Sequence, residues 1–278
     1  MIIGVHNSIS GGISNALKEC ISLNTTATQI FLHSPRMWDF KDITDEAYQF
    51  RKEIAQTAVK KVIVHSSYLI TPLSKNTETV IRSRELINKE LKNADMIYAD
   101  YYVLHIKGNS EKPMEENIYE LSNFFKKVIR PKKTKIIIEN SASGIGSDFR
   151  NIMKFYNTLK NINIFGGLCL DTAHAFESGY DIRKKSGVIK ILDEINDISI
   201  IKLIHLNDSK TELSSHTDRH DHIGKGHIGF DGFKNFFSFK DFDNIPLILE
   251  TPKKDLKDDI KNLFAVKHIT DSIKDSLK

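Results

Sequence analysis

At 278 residues, with 40% hydrophobic and 27% charged side chains, the chain has the balance of a globular enzyme and length enough for one large core, which excludes disordered and fibrous classes. No run approaches the roughly 18 apolar residues of a membrane span, and the opening MIIGVHNSISGG carries no basic segment ahead of an apolar stretch, so no membrane role and an intracellular, cytoplasmic location are expected. A formal net charge of +4 suits a polyanionic partner without requiring one, and the only cysteines, Cys20 and Cys169, form no CxxC pair, which leaves any metal to nitrogen and oxygen donors. Lysine-dense stretches such as Lys132, Lys133, Lys135 and Arg183, Lys184, Lys185 read as solvated surface.

In chain order, short apolar runs recur: IIGV at Ile3, TQIFL around Ile30, KVIVH ending at His65, YYVLH ending at His105 and KIIIE ending at Glu139. GLCLD, ending at Asp171, IKLIHL, passing through His205, and PLILE, ending at Glu250, bring the total to eight. Their near-continuous apolarity is that of strands covered on both faces of a parallel sheet. Stretches with helical spacing and charged faces lie between them, among them 78–94, 115–129, 149–159 and 255–273. Eight strand-helix units averaging about 35 residues predict a single (β/α)8 TIM barrel over residues 1–278, with its active site at the C-terminal ends of the strands. The longest connection without a helical pattern runs from Leu206 to about Gly229, and its length together with its His and Asp content marks it as functional.

Six of the eight strands end on a side chain able to bind metal: His65, His105, Glu139, Asp171, His205 and Glu250. One such residue is ordinarily a hydrogen-bonded structural group. Six in succession, converging on one face of a parallel barrel, point to a shared centre. His174, three residues after Asp171, and the pair Asp218 and His220 in TDRHDH add short chelating spacings. Nitrogen and carboxylate donors without cysteine are the ligand mixture of catalytic zinc or manganese. Nine ligands exceed the need of one ion and fit two or three, the equipment of phosphate-ester hydrolysis. His216, His222, His227 and His33 receive no role. His6 is a candidate outer partner of a ligand, and Gly11-Gly12 suits a phosphate-cradling turn or an ordinary tight βα turn.

With these residues in place, the chain resembles the endonuclease IV class of apurinic/apyrimidinic endonucleases over essentially its whole length. The motifs are GVHNSISGG, QIFLHSPRMW, HSSYLI, DTAHAFESGYD, HLNDSK, DRHDHIGKGHIG and PLILET, in that order. The resemblance implies three zinc ions per chain, with manganese an alternative at one site. One ion falls to His65, His105 and Glu139, a second to Glu139, Asp171, His205 and Glu250, and a third to His174, Asp218 and His220. Glu139 bridges the first two and is the residue assigned to catalysis. It further implies hydrolysis of the DNA backbone 5′ to an abasic site in base excision repair, leaving a 3′-hydroxyl and a 5′-deoxyribose phosphate, and trimming of blocked 3′ ends. Arg36, Tyr68, Leu69 and Arg219 are assigned to DNA contact, and a monomer is expected. The sequence departs from the family pattern at His105-Ile106-Lys107-Gly108, where proline and glycine usually follow the histidine, and at Lys225, where an acidic residue is usual.

Two other readings compete. Glu139, Asp171, His205 and Glu250 alone would suit a sugar isomerase or epimerase resembling xylose isomerase, but such an enzyme has no use for His65, His105, His174, Asp218 and His220 as further metal ligands. A barrel that binds DNA without catalysis would be expected to have lost ligands, and all nine stand in this sequence.

Overall fold

A computed structural model describes residues 1–106 and 111–276. Seven strands come first: β1 (Ile3–His6), β2 (Ala27–Ile30), β3 (Lys61–His65), β4 (Tyr101–His105), β5 (Lys135–Glu139), β6 (Phe165–Asp171) and β7 (Ile201–His205). Two short strands follow, β8 (Asp208–Ser209) and β9 (His220–Asp221), and then β10 (Leu247–Leu249). Strands β1 to β7 and β10 close into an all-parallel barrel in the order β1-β10-β7-β6-β5-β4-β3-β2, while β8 and β9 form a separate antiparallel pair. The expected TIM barrel is therefore the fold.

The helices around it are α1 (Asn15–Leu23), α2 (Thr44–Ile54), α3 (Thr77–Met96), α4 (Met114–Lys126), α5 (Phe149–Leu159), α6 (Thr172–Glu177), α7 (Lys185–Ile195), α8 (Gly229–Phe237) and α9 (Leu256–Ser276). Local chemistry fixes their ends. Asp148 caps α5 by accepting from the Arg150 backbone N–H at 2.8 Å, and that helix buries Phe149, Ile152, Phe155 and Leu159 along one face. The α4 helix stops at Lys126 rather than at 129, and Pro131, which disfavours helical backbone at Arg130, lies in the connection that leads to β5. No helix among the described residues is long and apolar enough to cross a membrane.

Two apolar layers hold the barrel. The larger lies between strands and helices and takes alternate strand residues such as Val62, Val64, Tyr102, Leu104, Ile136 and Ile138. The smaller fills the interior with Ala27, Ile63, Val103, Ile137, Cys169, Leu203 and Ile248. Side chains on a strand repeat every two residues. Two steps beyond these interior positions stand Gln29, His65, His105, Glu139, Asp171, His205 and Glu250, and two beyond Gly4 stands His6. The alternation that packs the interior thus turns polar groups into the barrel mouth.

Candidate metal centre

The side chains at the mouth meet around Glu139. This carboxylate is 1% exposed; its Oε2 lies 2.9 Å from His105 Nε2 and 3.3 Å from His65 Nε2, and its Oε1 lies 2.7 Å from His205 Nδ1. His205 Nδ1 also approaches Glu250 Oε2 at 3.1 Å. Three compact groups share Glu139: His65, His105 and Glu139; Glu139, Asp171, His205 and Glu250; and Glu139 and His205 with the buried thiol of Cys169, the donor atoms within each lying no more than 4.8 Å apart. Burial pushes the Glu139 carboxyl up, yet the adjacent His105 and His205 outweigh it and hold the group well below the usual carboxylate range. Glu250 is held down in the same way by His205.

Around His174 a further set gathers. Asp171 ends β6 and caps α6, its Oδ1 accepting from the His174 backbone N–H at 2.8 Å, so the DTAH motif is at once a helix start and a pair of donors. His174 Nε2 lies 3.2 Å from Asp218 Oδ1; His220 Nε2 lies 3.7 Å from the same oxygen and 3.6 Å from Asp171 Oδ2. The compact groups here are Asp171 with His174 and His220, and His174 with Glu177 and Asp218. Asp218 and His220 arrive on the 206–229 connection, which Asp208 ties down. The carboxylate of Asp208 accepts backbone N–H bonds from Ser209, Gly224, Gly226, Ile228 and Gly229.

Hydrogen bonds on the far side of the rings decide which nitrogen faces the centre. A backbone carbonyl can only accept, so Nδ1–H of His65 donates to Ser66 O at 2.9 Å, that of His174 to Asn140 O at 3.0 Å and that of His220 to Glu250 O at 3.2 Å. Each Nε2 is left with a lone pair directed inward, the arrangement by which proteins orient ligating imidazoles. His205 is reversed, with Nε2 donating to Gln29 Oε1 at 2.7 Å and Nδ1 facing the carboxylates. Buried polar atoms are ordinarily paired. Among the described residues, Glu139 Oε2, His174 Nε2, His220 Nε2 and Glu177 Oε2 are buried side-chain atoms without a hydrogen-bond partner. Bare nitrogens and oxygens packed at such distances, with no cysteine among the sequence-named donors, fit divalent cations.

Comparison with known proteins places this geometry. A family model described as a xylose isomerase-like TIM barrel matches residues 17–273. The chain is 36% identical to "Probable endonuclease 4" of Halothermothrix orenii, over 91% of this chain and 94% of that protein. It is 33% identical to "Probable endonuclease 4" of Aquifex aeolicus, over 96% and 97% of the two chains. The chain belongs to the endonuclease 4 family. Among solved structures it resembles endonuclease IV from Thermus thermophilus, with a TM-score of 0.82, 26% identity and coverage of 98% of this chain and 100% of that one. A D-tagatose 3-epimerase-like protein also superposes, with a TM-score of 0.70 and coverage of 100% of both chains, but at 16% identity it shares the barrel alone.

In this endonuclease 4 relative, a cavity of about 340 Å³ opens over the donors, lined by His6, Phe31, His65, Tyr68, His105 and Glu250 among others. Tyr68 stands half exposed at its edge, its ring 5.4 Å from that of Phe31 in an edge-on contact, and burial pushes its phenol up to about 12. Leu69 instead packs against the larger apolar layer. Arg36 and Arg219 are exposed, the latter with its backbone N–H bonded to Glu177. Lys225 is exposed, whereas Lys107 and Gly108 lie outside the described residues. Gly11 and Gly12 have φ of 84° and 111°, a left-handed turn that accounts for both glycines.

Two residues that sequence reasoning passed over belong to the site. Gln29 donates to His6 Nδ1 at 3.0 Å and to Glu250 Oε1 at 2.5 Å while accepting from His205, so it orients two donors and engages His6 as well. The only signal for it was its place two residues beyond the interior Ala27 in an otherwise apolar run. Glu177, fully buried and close to His174 and Asp218, gave no signal beyond its proximity in sequence to His174. Burial pushes its carboxyl up to about 6.

Proposed function

We propose that this chain is a divalent-metal-dependent DNA repair hydrolase. As a single barrel domain of residues 1–278, it cleaves the phosphodiester 5′ to an abasic site in duplex DNA and trims blocked 3′ ends. The observation that carries this reading is the joining of the His65-His105 and Asp171-His205-Glu250 groups through the single carboxylate of Glu139. Three ions are proposed, chiefly zinc with manganese an alternative at one: on His65, His105 and Glu139; on Glu139, Asp171, His205 and Glu250; and on His174, Asp218 and His220. When bound, such ions bring the pKa of a water down to about 7 and neutralise charge on a phosphate.

The chain's own residues set the geometry for this chemistry. Glu139 holds two donor groups in one place, and the Nδ1 bonds of His65, His174 and His220 fix their lone pairs inward before substrate arrives. Water attacks phosphorus and the bond to the 3′ oxygen breaks, which leaves a 3′-hydroxyl on one fragment and the deoxyribose phosphate on the other. Tyr68, with Leu69 behind it, fills the space of the missing base, and Arg36 and Arg219 contact backbone phosphates. The protein acts as a cytoplasmic monomer. Incubation of purified protein with a duplex carrying one abasic analogue, beside an undamaged duplex and a sugar-epimerase assay, tests the reading: a single nick 5′ to the lesion is expected. Epimerase turnover with intact abasic DNA would overturn it.

A further inference from the structure

Glu177 lies outside the nine donors named from the sequence, yet its environment is that of a ligand. It ends α6 with 0% exposure, where an unpaired carboxylate is costly. Its two oxygens differ. Oε1 accepts from the Ser209 hydroxyl at 2.7 Å, the Thr211 hydroxyl at 3.3 Å and the Arg219 backbone N–H at 3.2 Å. Oε2 is buried and accepts nothing among the described residues. A carboxylate oxygen of Glu177, a ring nitrogen of His174 and a carboxylate oxygen of Asp218 all lie within 4.8 Å of one another. A role in anchoring the 209–219 segment explains Oε1. It leaves Oε2 buried and bare without a reason.

We infer that Glu177 donates an oxygen to the cation held by His174 and Asp218, as a ligand oriented through hydrogen bonds to its other oxygen. The inference rests on the metal reading above and deepens it. His174 and His220 are neutral as ligands and Asp218 carries one negative charge, so an ion on those three keeps a net positive charge that Glu177 cancels. A second carboxylate also shifts the donor set toward oxygen, which favours manganese relative to zinc. Manganese therefore competes better at this centre with Glu177 than it would without it.

The test is equilibrium binding of Zn2+ and of Mn2+, measured separately by chelator competition on metal-stripped protein, together with the Tm of the metal-free forms. Wild-type protein should bind three zinc ions. Glu177→Gln keeps an acceptor toward Ser209 but replaces the bare oxygen by a donor. It should weaken one of the three ions by about tenfold or more, manganese more than zinc, with the metal-free Tm unchanged. Ser209→Ala loosens the Oε1 anchor and leaves the charge, and should retain all three ions more tightly than Glu177→Gln. Equal losses in the two variants, wild-type affinities in Glu177→Gln, or a loss matched by a fall in its metal-free Tm would each overturn the inference and leave the three-ion reading intact. Wild-type protein that binds only two ions would overturn both, and that outcome is visible without any variant.

Discussion

Glu139 carries more of the site than any other side chain, because both of its oxygens face histidine nitrogens and no hydrogen bond satisfies Oε2. Glu139→Gln retains the shape but halves the donor capacity where two groups meet. It should lower kcat by more than about a hundredfold, beyond the usual cost of losing an outer partner of a ligand. Affinity for abasic duplex should change little, since phosphate contacts dominate binding. Single-turnover cleavage set beside a binding titration checks this, and near wild-type cleavage would remove Glu139 from its bridging role. Gln29 acts at one remove: Gln29→Ala frees His205 and Glu250 to rotate and should cost about 10- to 100-fold in affinity for one ion. Unchanged chelator competition would show the amide to be incidental. Tyr68 tests substrate recognition. Since Leu69 packs on the core and Tyr68 does not, Tyr68→Ala alone is the clean variant. It should reduce kcat/KM on duplex abasic DNA by about ten- to a hundredfold, or roughly 1.4 to 2.7 kcal/mol of transition-state stabilisation. The loss should be smaller on a single-stranded abasic site, where little stacking needs replacing; equal losses on both would mean that the ring supports the site rather than the DNA.

At the scale of elements, the long connection after β7 is the segment whose order is least expected from its composition. Its order comes from Asp208, a 0% exposed carboxylate that gathers five backbone N–H groups, two of them from Gly224 and Gly226. Gly226 is needed for contact: a Cβ there would lie 2.2 Å from the Ser209 carbonyl oxygen and 2.6 Å from Asp208 Oδ1. Gly226→Ala should destabilise the metal-free protein by about 1–3 kcal/mol, the usual cost of forcing atoms into a packed site, and should open the 206–229 segment to protease. A variant with unchanged Tm and unchanged cleavage pattern would show that the clamp does not hold the loop. The His-rich composition of this segment was legible in the sequence, and so was its candidacy for metal binding through Asp218 and His220. The division of its histidines was drawn there too, His220 as a donor and the others without a role; what was not legible was where the others go, His216 to the Ala142 carbonyl and His222 to Asn262. Those partners depend on backbone direction residue by residue, which spacing within a loop does not fix.

For the molecule as a whole, the barrel mouth concentrates mostly buried donors that bound cations would hold together. Metal removal should therefore lower Tm by mass action, with roughly 4 kcal/mol lost for each ion that was present at a thousandfold its dissociation constant. Thermal scans at graded chelator check this, and a Tm indifferent to chelator would refute the metal-loaded centre. The sequence by itself determined the barrel and its sidedness. Apolar runs of strand length that end on His, Asp or Glu can converge only if the strands are parallel and closed, and the period of two then directs the terminal groups inward. It also carried the motifs by which the family is recognised. Tertiary structure alone decided the contacts that cross between units: Gln29 reaching His205 across 176 residues of chain, Asp208 binding backbone on the far side of its loop, and Glu177 set between Ser209 and Asp218. The reason is physical. Strand-end chemistry is local and periodic, whereas the orientation of a donor is set by whichever group the closed barrel brings behind it, and no local pattern records that neighbour.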